Sequence, residues 1–302
     1  MSFDPDALID RRRLKRKLRW WQAATLVAVA LTIIAGLQAS DLLLERDTVA
    51  RLRIGGLIVE DPRRDALLAE IARDASVRAL IVHVDSPGGT VVGGEDLYRS
   101  LLVVGEKKPV VTVMGTVAAS AAYMTAVAGD RVYAREGTIT GSIGVLFQTV
   151  DVTSLLDKLG VKPTSLKSGP LKAVPSPTEP LTEEARAATQ ALVADLFDFF
   201  VDLVVERRPL NRDQVLQLAD GRVYTGRQAV KNGLVDAIGG ETAARDWLTA
   251  EKEIPRDIPT VTVQPKAERS GLSEVFSSLT EKSLISNALT LDGLLSVWHP
   301  DL

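Results

Sequence analysis

Pro109-Val-Val-Thr-Val-Met114 runs straight into Gly115-Thr-Val-Ala-Ala-Ser120-Ala-Ala-Tyr-Met124, and this stretch decides the fold. Its first half is short, apolar and rich in valine, the composition of a buried strand. From Ala121 to Gly129 the chain is apolar and helix-like. Ser120 therefore stands at a strand-to-helix turn. Its hydroxyl would project from that turn, and the following backbone N–H would lie at a helix N-terminus. That pairing suits a nucleophile and half of an oxyanion hole. A serine at such a place also serves as an ordinary helix cap.

The same alternation extends outward. Ala50 to Val59 reads as a strand or hairpin, and residues 63–74 carry Leu67, Leu68, Ile71 and Ala72 at helical spacing. Val77 to Val84 is a second strand, ended by Asp85-Ser-Pro-Gly-Gly89, and a helix over about 93–104 leads into 109–114. Short apolar strands alternating with helices predict an α/β fold with a parallel sheet covered by helices. Beyond Ser120, strands are expected at 131–134 and 138–145, a short helix at 152–160 and an extended piece at 161–167. A proline-rich loop follows over 168–180. Thr182 caps a long amphipathic helix to Arg207, with Glu183 and Glu184 in its first turn. Helices at about 211–219, 226–232 and 241–251 and a strand at 258–263 complete a domain spanning 41–263. Residues 264–302 form a tail that is polar, then leucine-spaced, expected to be disordered or to pack between subunits.

The chain of 302 residues is 46% apolar and 25% charged, an ordinary globular composition. It has no cysteine, which excludes thiol nucleophiles, disulfides and thiolate metal sites. Residues 1–19 carry seven basic and three acidic side chains (+4), and the remainder 29 basic and 36 acidic (−7). An acidic body argues against nucleic acid as a partner, although a basic arm is one reading of residues 11–19. Trp20 to Ser40 is 21 residues without a charge, with Trp20 and Trp21 at its basic end. At ~1.5 Å per residue such a helix spans a bilayer core of about 30 Å. The expectation is a basic cytoplasmic segment at 1–19, one transmembrane signal anchor at 20–40 and a body on the far side of the membrane. Leu37-Gln-Ala39 is a weak cleavage-like triplet, so a removed signal peptide is the competing reading.

Asp85-Ser-Pro-Gly-Gly89 places two glycines at the carboxyl end of a strand, where ligands of open α/β sheets bind. A plain tight turn accounts for it equally. If Ser120 is a nucleophile it needs a base. His83 lies mid-strand and is expected to pack beside the sheet, while His299 is near the end of the tail. That leaves lysine, which serves when kept neutral by desolvation. Lys172 stands in the uncharged run Ser168 to Pro175; Lys167 is the weaker candidate, and a surface lysine is the ordinary alternative for both.

These motifs together resemble the short-form bacterial signal peptide peptidases, the SppA family of Ser/Lys-dyad membrane proteases. The resemblance rests on Asp85-Ser-Pro-Gly-Gly89, Met114 to Ser120, Thr138-Ile-Thr-Gly-Ser142, Lys167-Ser-Gly-Pro-Leu-Lys172, Asp220-Gly-Arg-Val-Tyr-Thr-Gly226, Gly233-Leu-Val-Asp236 and Gly239-Gly240. It covers about 48–262 and the N-terminal anchor. It implies a crotonase-like fold shared with ClpP, Ser120 as nucleophile, Lys172 as general base and Ser142 orienting Lys172. Gly88 or Gly89, with Ala121, would form the oxyanion hole, and neither metal nor cofactor is implied. The family usually has Ser-Gly-Gly at the nucleophile; here Ala121 and Ala122 follow Ser120, and their methyl groups are expected to narrow the site. The resemblance further implies a homo-oligomer with its site completed between subunits, in a bacterial inner membrane. Its substrates would be remnant signal peptides and other apolar peptides. The competing readings are a related SohB-like inner-membrane protease, a non-catalytic scaffold of the same fold, and a crotonase-type acyl-CoA enzyme.

Overall fold

The computed structural model describes residues 17, 20–30, 32 and 47–265, together with the backbone of 294–297. The chain divides into a unit Met1–Asp47 and a unit Thr48–Leu302. In the first, residues 20–30 are helical, with Trp20 and Trp21 exposed. No helix of the described residues is long and apolar enough to cross a membrane. Residues 33–40 of the expected anchor lie outside the described residues, as does most of the basic segment.

The second unit opens with β1 (Thr48–Ile58), α1 (Pro62–Arg73), β2 (Val77–Thr90), α2 (Val91–Gly105), β3 (Val110–Ala119) and α3 (Ala121–Ala126). It continues with β4 (Arg131–Ala134), β5 (Ile139–Gly141), β6 (Leu146–Phe147), α4 (Thr153–Lys158) and α5 (Glu183–Arg207). Then come α6 (Arg212–Leu218), β7 (Val223–Thr225), α7 (Gly226–Lys231), β8 (Ala237–Ile238), α8 (Glu241–Lys252), β9 (Thr260–Val263) and β10 (Leu294–Val297). β1 pairs with β2 and β9, β2 with β3, β3 with β4 and β5, and β4 with β8, all in parallel. Among the described residues, only β10, against β2 and β6, and β7, against β5, run antiparallel. The expected α/β architecture with a mostly parallel sheet and flanking helices is what forms.

The two-residue period of the strands builds a core on each face of the sheet. Ala50, Leu52, Ile54, Leu80, Val82 and Val84 face the larger core, shared with Leu97, Leu101, Met124, Phe200 and Val204 of the helices. Val49, Ala79, Ile81, Val111 and Val113 face the opposite side and are covered by Ala244 and Leu248 of α8. Burial on both faces is why the strands read as continuous apolar runs rather than alternating ones. Helix starts follow the expected chemistry: the Thr182 hydroxyl accepts from Ala185 N, and Asn211 and Thr225 each form a capping box with a glutamine three residues on.

Two expectations are corrected. Asp85-Ser-Pro-Gly-Gly89 does not end its strand, because β2 runs through it to Thr90 and stays paired with β1 as far as Gly89. Part of the tail, Leu294–Val297, is strand rather than an unstructured segment.

A buried ion pair ties the end of α5 to the β4–β8 edge. Arg208 reaches both Asp236 carboxylate oxygens at 3.0 and 3.1 Å, and Asp236 also accepts the Val132 amide at 2.7 Å. Removing one partner leaves the other charge buried without compensation, at a cost of about 3–5 kcal/mol. Asp236→Ala is therefore expected to lower the melting temperature by roughly 10 °C, measured by calorimetry.

Candidate active site

The site arises where the sheet splits. β2 and β3 remain paired as far as Ser86 against Ala118. Just before that point a single residue of β2, Asp85, faces three residues of β3, Gly115 to Val117. This bulge is pinned by Asp85 Oδ1, which accepts the Val117 amide at 3.0 Å, and by Thr138 Oγ1, which donates to Gly115 O at 2.7 Å. Beyond the split β2 continues to Thr90 while β3 ends at Ala119. Gly88 and Gly89 thus stand on one side of the opening and Ser120 on the other.

Ser120 has φ 60° and ψ −124° and is 1% exposed. A non-glycine residue in that region is strained, and such strain collects at functional sites. The turn is held by main-chain bonds: Ser120 N donates to Gly141 O at 2.8 Å, and Met124 N donates to Ser120 O at 2.9 Å. The side chain makes no capping hydrogen bond to α3. The helix-cap reading of Ser120 therefore falls away. Arg207 holds the far end of this segment, donating to the carbonyls of Val127, Ala128 and Gly129.

Ser142 comes to Ser120 through strand register. Ala119 pairs with Gly141, so the next residue on each strand is a serine. Ser142 is 8% exposed with φ 49°, and its amide donates to Arg222 O at 2.9 Å. The Asp220 to Gly226 motif therefore acts as a backstop for Ser142. Arg222 in turn hydrogen-bonds Asp220, holding that carboxyl below its ordinary range.

Ala121 and Ala122 are fully buried. The Ala121 methyl lies against Gly94, where a built Cβ would come within 3.0 Å of it, and Ala122 belongs to the larger core. These methyl groups pack against α2 and the core. Gly89 has no room for any side chain, since a Cβ there would lie 1.8 Å from Ile58 O.

The lysines differ in a way spacing does not reveal. Lys167 forms an ion pair with Glu179, and that hydrogen bond holds the Glu179 carboxyl below its ordinary range. Lys172 lies in an exposed turn, its amide donating to Gly169 O at 3.2 Å. Its ammonium makes no hydrogen bond or ion pair with any described residue. A single chain thus brings Ser120, Ser142, Ala121 and the glycines together and leaves Lys172 in solvent. His83 packs beside the sheet as expected, its Nε2 2.9 Å from Glu241 on α8. Burial opposes ionisation of Glu241, but Arg51 and His83 outweigh it and hold the carboxyl below its ordinary range.

Two features were not legible in the sequence. One is an open, mainly apolar groove of about 590 Å³ beside Ser142, lined by Ile143, Leu146, Phe147, Val193, Ala194 and Phe197. The other is β10, which pairs with Gly88 to Thr90 and with β6, lying along the edge that β3 vacates. Neither has a local signal, since each is made by segments far apart in the chain.

Residues 104–255 match the family model described as peptidase family S49. A putative protease of Synechocystis is 39% identical over 203 residues, 67% of this chain and 73% of that protein. The chain belongs to peptidase family S49. It is a serine peptidase of the SppA type, and Ser120 to Ala126, carrying the strained serine, falls inside the matched segment. A putative signal peptide peptidase SppA of Enterococcus faecium is 37% identical over 188 residues, 62% of this chain and 55% of that protein. The chloroplastic serine protease SPPA of Arabidopsis thaliana is 31% identical over 264 residues, 83% of this chain but 39% of the plant protein. The chain thus spans little more than half of the bacterial SppA and two fifths of the plant S49 relative.

Proposed function

We propose that this S49 peptidase is a membrane-anchored endopeptidase that degrades remnant signal peptides with a Ser120–Lys172 dyad. The observation that carries this reading is the strained, buried Ser120 set beside Ser142 across from Gly88 and Gly89. In the reaction, neutral Lys172 takes the Ser120 proton as Oγ attacks the scissile carbonyl. Ser142 orients the amine. The Ala121 amide and one of the two glycine amides stabilise the tetrahedral oxyanion. The protonated lysine then gives its proton to the leaving amine, and water releases the acyl group by the same route.

Exposure of Lys172 in the single chain supports completion of the site in a homo-oligomer, where a neighbouring copy would desolvate the amine. The apolar groove beside Ser142 suits apolar peptide side chains such as those of a signal sequence. The uncharged run Trp20 to Ser40 behind seven basic residues supports a single-pass anchor, with the peptidase unit on the extracytoplasmic side of the inner membrane.

The test expresses the full chain in bacterial membranes and treats spheroplasts with added protease, after labelling with a fluorophosphonate. Labelling of the unsubstituted chain, loss of label in Ser120→Ala and digestion of the peptidase unit from outside are expected. A chain that takes no label would be a scaffold, and a protected peptidase unit would place the site in the cytoplasm. Cleavage of a model signal peptide, but not of a folded periplasmic protein, separates this reading from a general quality-control protease.

A further inference from the structure

We infer that Ser86 is the positioning residue of the oxyanion turn at Gly88 and Gly89. The inference rests on Ser120 being the nucleophile.

Ser86 is 1% exposed and is the last residue of β2 paired with β3 before the sheet splits. Its hydroxyl makes two contacts that matter. Oγ lies 2.6 Å from Gly56 O and donates to it, a closer acceptor than Gly88 O at 3.3 Å. The same oxygen accepts the Gly88 amide at 3.1 Å. A hydroxyl carries one proton and two lone pairs, so both bonds form at once.

These bonds join two irregular backbones. Gly56 has φ +66° and lies in the register shift of β1 between Gly55 and Leu57; Gly88 has φ +117° and lies just past that shift on β2, in register with Leu57. Both conformations are open to glycine and strained for other residues. The buried hydroxyl satisfies both the Gly56 carbonyl and the Gly88 amide. It therefore acts as a rivet through the bulge.

The consequence for chemistry is direct. The Gly88 N–H donates to Ser86. Gly89 is the next amide along and is held to the cleft wall by its close approach to Ile58. An oxyanion donor works only when it is fixed at hydrogen-bonding distance from the charge that develops, and its loss lowers kcat by about 10²–10³-fold. Without the Ser86 hydroxyl the turn loses its anchor, and its amides lose their aim while the peptide-binding surfaces stay in place.

The experiment compares Ser86→Ala, Ser86→Thr and Ser86→Cys in the full membrane-embedded chain, with a model signal peptide as substrate. Melting temperature is measured in parallel. Ser86→Ala is expected to lower kcat by about 10²-fold with KM within about threefold, and to weaken a peptide aldehyde, which forms a tetrahedral adduct, by a similar factor. Ser86→Thr, which restores the hydroxyl, is expected to recover most of kcat. Ser86→Cys keeps the shape with only a weak hydrogen-bonding group, so it reports on the same loss if alanine fails to fold. A folded Ser86→Ala or Ser86→Cys at full kcat overturns the inference. So does a loss that merely tracks the folded fraction and leaves aldehyde affinity per folded molecule unchanged. Ser120→Ala is the control: if it retains activity, the nucleophile assignment fails, whereas a dead Ser120→Ala beside a fully active Ser86→Ala defeats the oxyanion inference alone.

Discussion

Lys172→Arg yields a folded chain that no longer cleaves a model signal peptide, with kcat/KM lower by about 10²–10⁴-fold, the usual worth of a general base. The substitution keeps the positive charge and most of the length. It removes only the ability to become neutral, since a guanidinium is not deprotonated in a protein. Lys172 is exposed in the single chain, and its ammonium makes no hydrogen bond or ion pair with any described residue. A loss of activity therefore cannot be charged to misfolding, and the melting temperature should stay within about 2 °C of the unsubstituted chain. Lys167 is the built-in comparison. Its ion pair with Glu179 is a role arginine can take over, so Lys167→Arg should remain within a few-fold of full activity. The unsubstituted enzyme should also gain rate as pH rises, because only the neutral amine accepts the Ser120 proton. A Lys172→Arg enzyme at near full rate, in a chain shown to be assembled, removes lysine 172 from the mechanism.

Ser120→Ala is expected to cost about 10³-fold or more in kcat, on the scale of removing a serine nucleophile elsewhere, and to leave the fold intact. The reason for the second part is that the turn is held by the main chain. The bonds from Ser120 N to Gly141 O and from Met124 N to Ser120 O survive the substitution. Alanine also inherits the same positive φ with the same Cβ, so the backbone strain is unchanged. Loss of covalent fluorophosphonate labelling and an unshifted melting curve are the measurements. Retained labelling at another residue would show that the nucleophile lies elsewhere.

Much of this molecule was legible along the chain. Strand and helix order follows from period and composition, and these are properties of contiguous residues. The cap at Thr182 follows from a side chain reaching the amide three residues on. The strand-to-helix turn at Ser120 and the two glycines of Asp85 to Gly89 were equally local, and they were enough to raise the nucleophile and the oxyanion hole as readings. The serine was ambiguous with a helix cap until its strained backbone and the missing capping bond were seen.

What the tertiary structure decided is of another kind. That Ser142 stands beside Ser120 depends on the parallel register of β3 and β5. That Asp85-Ser-Pro-Gly-Gly89 is strand rather than turn depends on β1 continuing alongside it. Gly88 and Gly89 are indistinguishable in sequence, and what separates them is a hydroxyl bonded to a carbonyl 30 residues earlier. Lys167 and Lys172 are separated by a carboxylate on the far side of a proline-rich loop. The physical reason is common to all four. Local patterns specify which elements form, because propensity and periodicity act within a few residues. The satisfaction of a particular amide, hydroxyl or ammonium depends on which distant backbone the packed core brings within 3 Å, and no stretch of the chain carries that information by itself.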